Sequence, residues 1–177
     1  MKKFYILLSR TNTMPARVIR KVTGSTYSHT SLSLYPRTDH FYSYARRHIN
    51  MPMFAGFVSE NIHTKVFARY PDAPCALYSI EVSEESYEKA KKLISYFRRH
   101  KKEATYNFWG AYAMPLGLPL KRMNKFTCSQ FVAFVLYYSG AIELPKDPYL
   151  MMPDDFRDIE GATVIYKGKL KDLKYPD

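Results

Sequence analysis

A chain of 177 residues suits one domain with a real core and leaves no room for several. Its 46% apolar and 24% charged content excludes a disordered chain, and no apolar run reaches the ~20 residues of a membrane helix. The net charge of +11 is compatible with an anionic surface or ligand, but no known nucleic-acid motif accompanies it, so no specific nucleic-acid partner is expected.

The first residues, "MKKFYILLSRTN", imitate a signal peptide, but the apolar stretch stops at Ser9 and Arg10. They read as a buried strand over 3–9, and the chain as cytoplasmic. "NTMPARVIRKVTG" carries a polar cap (Asn12 or Thr13), Pro15 in the first turn and Gly24 at its end, which predicts a short amphipathic helix. "HTSLSL" (29–34) alternates, with Leu32 and Leu34 opposite His29, Ser31 and Ser33. "YPRTD" is turn chemistry, and "HFYSYAR" (40–46) completes a hairpin. From Arg47 to Asn61 no period is visible, and the apolar "NMPMFAGF" reads as a covering loop. "TKVFARY" and "CALYSIEVS" read as strands.

"SEESYEKAKKLISYFRRHKK" is the clearest helix. Ser83 caps it, Glu84 and Glu85 fill the first turn, and "FRRHKK" places cations at its carbonyl end. "YNFWGAYAMPLGLPL" (106–120) is a connection broken by Pro and Gly. A helix over 128–139 follows, closed by Gly140, and then a strand over 162–168. Strands and helices do not alternate strictly, so the expected class is α+β, in one domain spanning 1–177. Two distant cysteines, without CxxC or a clustered histidine pair, predict neither a disulfide framework nor a zinc site.

Cys128 opens the helix in "NKFTCSQFVAFVLYYSG", with Thr127 as its N-cap. Only the thiolate of a cysteine is a strong nucleophile, and a free thiol titrates near ~8.5. A helix N-terminus offers unpaired N–H groups and partial positive charge, which favour a thiolate and can hold an oxyanion. Cysteine is also a common core residue. Cys75, at a strand start with no helix end beside it, reads as purely structural.

A thiolate enzyme needs a base, and His29 is the candidate among five histidines because it opens a strand whose face continues with Ser31 and Ser33. A third group must orient the imidazole. With the hairpin turn centred near Arg37, Ser43 lies opposite Ser31 and diagonal to His29, so it ranks first, ahead of His40 and Tyr42.

"YSHTSLSL" followed much later by "CSQFVAFVL" resembles the circularly permuted papain-fold cysteine hydrolases of the NlpC-type superfamily, closest to the YiiX-like and lecithin:retinol-acyltransferase-like branches. The family's strand histidine falls on His29, its nucleophile on Cys128, and its third polar residue nearest Ser43. "YNF" (106–108) matches a segment upstream of the nucleophile. "TSLS" replaces the glycines usual after the histidine. The resemblance implies a papain-like sheet packed against the cysteine helix. It also implies a peptidase, amidase or acyltransferase acting on a small peptide or acyl substrate, with no cofactor. Tyr27, Tyr106, Trp109 and the 50–57 loop are expected as pocket walls or oxyanion donors. Two rival expectations are a non-catalytic protein of the same fold docking an anionic partner, and a lipid enzyme that meets a membrane surface through "MPMFAGF".

Overall fold

The computed structural model describes residues 1–11, 24–48 and 51–175, so the helix expected after Asn12 lies outside the described residues. The class is α+β. Eight strands form one mixed sheet: β1 (Lys2–Ser9), β2 (His29–Ser33), β3 (Phe41–His48), β4 (Met51–Glu60), β5 (Pro74–Val82), β6 (Thr105–Tyr106), β7 (Lys125–Phe126) and β8 (Ala162–Lys169). Their spatial order is β7-β6-β4-β3-β2-β1-β5-β8, antiparallel except for the short β6–β7 pair. Among the described residues the α-helices are α1 (Lys65–Ala68), α2 (Glu84–Arg99), α3 (Phe108–Ala113) and α4 (Cys128–Tyr138). Among the described residues, no helix is long and apolar enough to cross a membrane.

The run "FYILL" is continuously apolar because β1 lies inside the sheet with both faces covered. Phe4, Ile6 and Leu8 join the core beneath α2 and α4. Leu7 joins a second cluster with Phe41, Phe67, Cys75 and Leu77. The β2–β3 hairpin has the expected register, with Leu32 against Tyr42. Helix α2 is capped as expected: Ser83 Oγ accepts from the Ser86 N–H at 3.0 Å, and Tyr87, Ala90, Ile94 and Phe97 are buried.

Two expectations are corrected. The segment 51–60 is a ten-residue strand rather than a loop, because pairing with β3 from Phe41–Glu60 to Arg46–Ala55 outweighs the poor strand propensity of Pro52 and Gly56. "TKVFARY" contains the single-turn helix α1 rather than a strand, and its Phe67 packs into the second cluster. The connection after Tyr106 also holds a short helix, α3, capped by Asn107.

Helix α4 is fixed over the sheet by aromatic packing. Phe131 is fully buried, with ring centroids 5.2 Å from Tyr44, 5.6 Å from Phe57 and 5.5 Å from Phe97. Emptying that position removes a large apolar side chain from a close-packed site. Phe131→Ala is expected to lower stability by about 3–5 kcal/mol in denaturant unfolding, with little change in the slope of the transition.

Candidate active site

The site forms where β2, β4 and the first turn of α4 converge. Thr127 is the N-cap of α4, and its Oγ1 accepts from the Gln130 N–H at 3.2 Å. Gln130 Oε1 accepts in return from the Thr127 N–H at 2.9 Å. This capping box satisfies the N-cap and N3 donors and leaves the Cys128 and Ser129 N–H groups without intrahelical partners. Cys128 thus stands at N1, 6% exposed, at the positive end of the helix.

His29 meets a carboxylate. Its Nε2 is 3.0 Å from both oxygens of Glu60, the last residue of β4. Ser31, two residues on and therefore on the same face of β2, donates its hydroxyl to Glu60 Oε2 at 2.5 Å and sits 3.2 Å from His29 Nε2. The His29 and Glu60 side chains are each only 13% exposed. Phe67 lies against the imidazole with ring centroids 5.9 Å apart. These contacts occupy Nε2 and leave Nδ1 as the ring nitrogen available to Cys128, which lies close enough to help raise the His29 pKa.

Burial is the largest single influence on His29 and pulls its pKa down. The Glu60 charge, hydrogen bonds with Cys128 and Glu60, and the charge of Cys128 pull it up, and together they hold it well above 6.5. A histidine raised in this way contributes stability that is complete below the unfolded value of about 6.5, while Glu60 is charged. That contribution is lost as pH climbs through the folded pKa.

Ser43 is not the orienting group. Its hydroxyl donates to the Thr30 carbonyl at 2.7 Å, and a serine diagonal to His29 is too short to reach across the sheet. Nor are His40 and Tyr42, whose Nε2 and hydroxyl oxygen lie 2.7 Å apart. Glu60 was legible in one respect: it is the sole acidic residue between Asp39 and Asp72. Reading 47–61 as irregular hid its place at a strand end.

Tyr106 belongs to the site. Burial, then the charge of Cys128, raises its pKa well above 10, so its hydroxyl keeps its proton. Asn107 anchors this segment. Its Oδ1 accepts from the Gly110 N–H at 3.0 Å, and its Nδ2 donates to the Leu120 carbonyl at 3.1 Å and to Gln130 Oε1 at 3.3 Å. A Cβ at Gly110 would collide with the Asn107 amide, so glycine is required there.

Tyr27 is elsewhere. It is a core residue whose hydroxyl is influenced by burial and by Tyr78, Arg157, Cys75 and Asp154, and its N–H is bound by Asp154 Oδ1 at 2.9 Å. Trp109 is 69% exposed and borders a shallow depression of about 570 Å³ with Leu120, Lys121 and Arg122. Of the expected wall from 50–57, residues 51–57 belong to β4: Ala55 and Phe57 are buried in it, and Phe54 faces solvent. Cys75 is a buried free thiol, pushed up to about 12 first by burial and then by Asp172.

No family model matches the chain, and no curated protein matches it.

Replacing Glu60 by Gln removes the charge that opposes burial. The His29 pKa is expected to fall by more than one unit, read from the imidazole Cε1–H resonance across a pH titration. The stability difference between wild type and Glu60→Gln should shrink as pH rises through the wild-type His29 pKa.

Proposed function

We propose that the protein is a thiol hydrolase or acyltransferase with a permuted papain-like arrangement, acting on an amide, ester or thioester. The observation that carries this reading is one histidine hydrogen-bonded to a carboxylate and electrostatically coupled to a cysteine at a helix N-terminus. The order His29, Glu60, Cys128 along the chain, on a sheet with the cysteine helix packed against it, supports the permuted topology.

The reacting form is the Cys128 thiolate, the strong nucleophile a cysteine offers, beside a His29 held toward its protonated form. Cys128 Sγ attacks the substrate carbonyl carbon, forming a C–S bond while the carbonyl electron pair moves to oxygen. The N–H groups at the start of α4 and the Tyr106 hydroxyl, which keeps its proton, are the donors assigned to that oxyanion. Collapse breaks the bond to the leaving group, which takes the proton from His29. The neutral imidazole then removes a proton from water or another acceptor as it attacks the thioester. The acyl product leaves and the thiolate–imidazolium pair returns. Glu60 holds the ring and stabilises its cation throughout, with Ser31 fixing the carboxylate.

Iodoacetamide alkylation of Cys128 across pH 4–10 tests the pair, with Cys75 as an internal reference. Wild-type Cys128 is expected to react at pH values well below those needed for Cys75, and His29→Ala to lose that low-pH reactivity by tenfold or more. Alkylation only under unfolding conditions, at the same rate in both proteins, would overturn the reading and leave the non-catalytic binding protein.

A further inference from the structure

Helix α3 is inverted with respect to the usual rule of burial. It buries Gly110, Ala111 and Ala113 and turns Trp109 and Tyr112 to solvent. The apolar exposure continues through Leu116 (75% exposed), Leu118, Leu120 and Met123 (88% exposed). Single exposed apolar residues are ordinary, but six within one stretch of fifteen form a patch of the kind that marks an interaction surface.

The charge around the patch is predominantly positive. Between Arg98 and Lys125 the chain carries seven Lys or Arg and one acid, Glu103. Only Lys121 is held in an ion pair, with Asp147 at 2.8 Å; among the described residues the other six cations have none. The Thr105 N–H donates to the Asn124 carbonyl at 3.1 Å, which sets the basic end of α2 and its following turn beside the loop that carries Arg122 and Met123. An indole, a phenol and aliphatic side chains rimmed by unpaired cations match the boundary between headgroups and acyl chains of an anionic bilayer.

We propose that the face formed by residues 109–123 docks on an anionic lipid surface, with Trp109, Leu116 and Met123 entering the headgroup boundary and Arg122 and its basic neighbours meeting the lipid phosphates. The "MPMFAGF" segment expected for this role is a sheet strand that buries Ala55 and Phe57. Because α3 begins two residues after Tyr106, docking brings the approach to Cys128 against the bilayer, a consequence that rests on the hydrolase reading.

Trp109 is the single tryptophan of the chain, so its fluorescence reports this face without a label. Vesicles of phosphatidylcholine mixed with phosphatidylglycerol are expected to shift its emission to shorter wavelength. Pure phosphatidylcholine vesicles should do so much more weakly, and Leu116→Asp with Met123→Asp should weaken binding roughly tenfold or more while the circular dichroism spectrum stays unchanged. Three results would overturn the proposal. One is sedimentation with anionic vesicles and no emission shift, which means attraction by surface charge alone. The second is a shift that grows with protein concentration without lipid, which means a second copy covers the face. The third is no association at all. The same titration on Cys128→Ser, which lacks the nucleophile, separates docking from chemistry. Docking is expected to persist there, so its failure and that of the hydrolase reading are told apart.

Discussion

A charged imidazole held beside a carboxylate, with little water between them, is the constraint on which the rest of the site depends. Burial alone would discharge His29, and the Glu60 charge, the hydrogen bonds around the ring and the charge of Cys128 reverse that. Glu60 must therefore arrive at the end of a strand two places from β2, and the sheet is built to deliver it. Gly56 permits this locally. The Phe57 N–H donates to the Ala104 carbonyl at 3.1 Å, and a Cβ at Gly56 would collide with that carbonyl oxygen. Phe67 then covers the imidazole, which gives α1 its place in the argument.

The thiol side depends on a division of labour within one helix turn. Thr127 and Gln130 satisfy each other's backbone donors, and Gln130 Nε2 ties the turn to the Tyr149 carbonyl at 2.8 Å. Asn107 links that same glutamine to the segment carrying Tyr106. The Cys128 thiol, the N–H groups at the helix start and the Tyr106 segment are tied together by this one buried polar network, while Phe131 and the aromatic cluster hold the helix body over the sheet. Polar groups fix the angle of approach and apolar packing fixes the distance.

Much of this was legible in the residues. Alternation in "HTSLSL" and "HFYSYAR", the Ser83 cap and the apolar run after Cys128 gave strands and helices where the structure has them, because there local preference and tertiary packing agree. The hairpin register was legible too, which put Ser43 across from Ser31. What failed was the inference from register to reach: a neighbour in the sheet need not be long enough to touch. β4 was hidden by Pro52 and Gly56, whose poor strand propensity is outweighed by the pairing of residues 55–60 with β3. α1 is a single turn rich in residues that favour strands, and nothing local marks it. The inverted α3 was hidden for a different reason: apolar composition says nothing about which side faces out.

The two halves of the account meet at Cys128, where a charged pair and a helix end converge on one sulfur atom. Trapping is the most direct measurement: the protein is mixed with an activated aryl ester, quenched with acid, digested, and the acylated residue located by mass spectrometry. The account predicts acylation concentrated on Cys128 in the wild type and absent from that position in His29→Ala, with Glu60→Gln acylated more slowly by tenfold or more. Acylation scattered over surface lysines, with Cys128 unmodified in every variant, would contradict it.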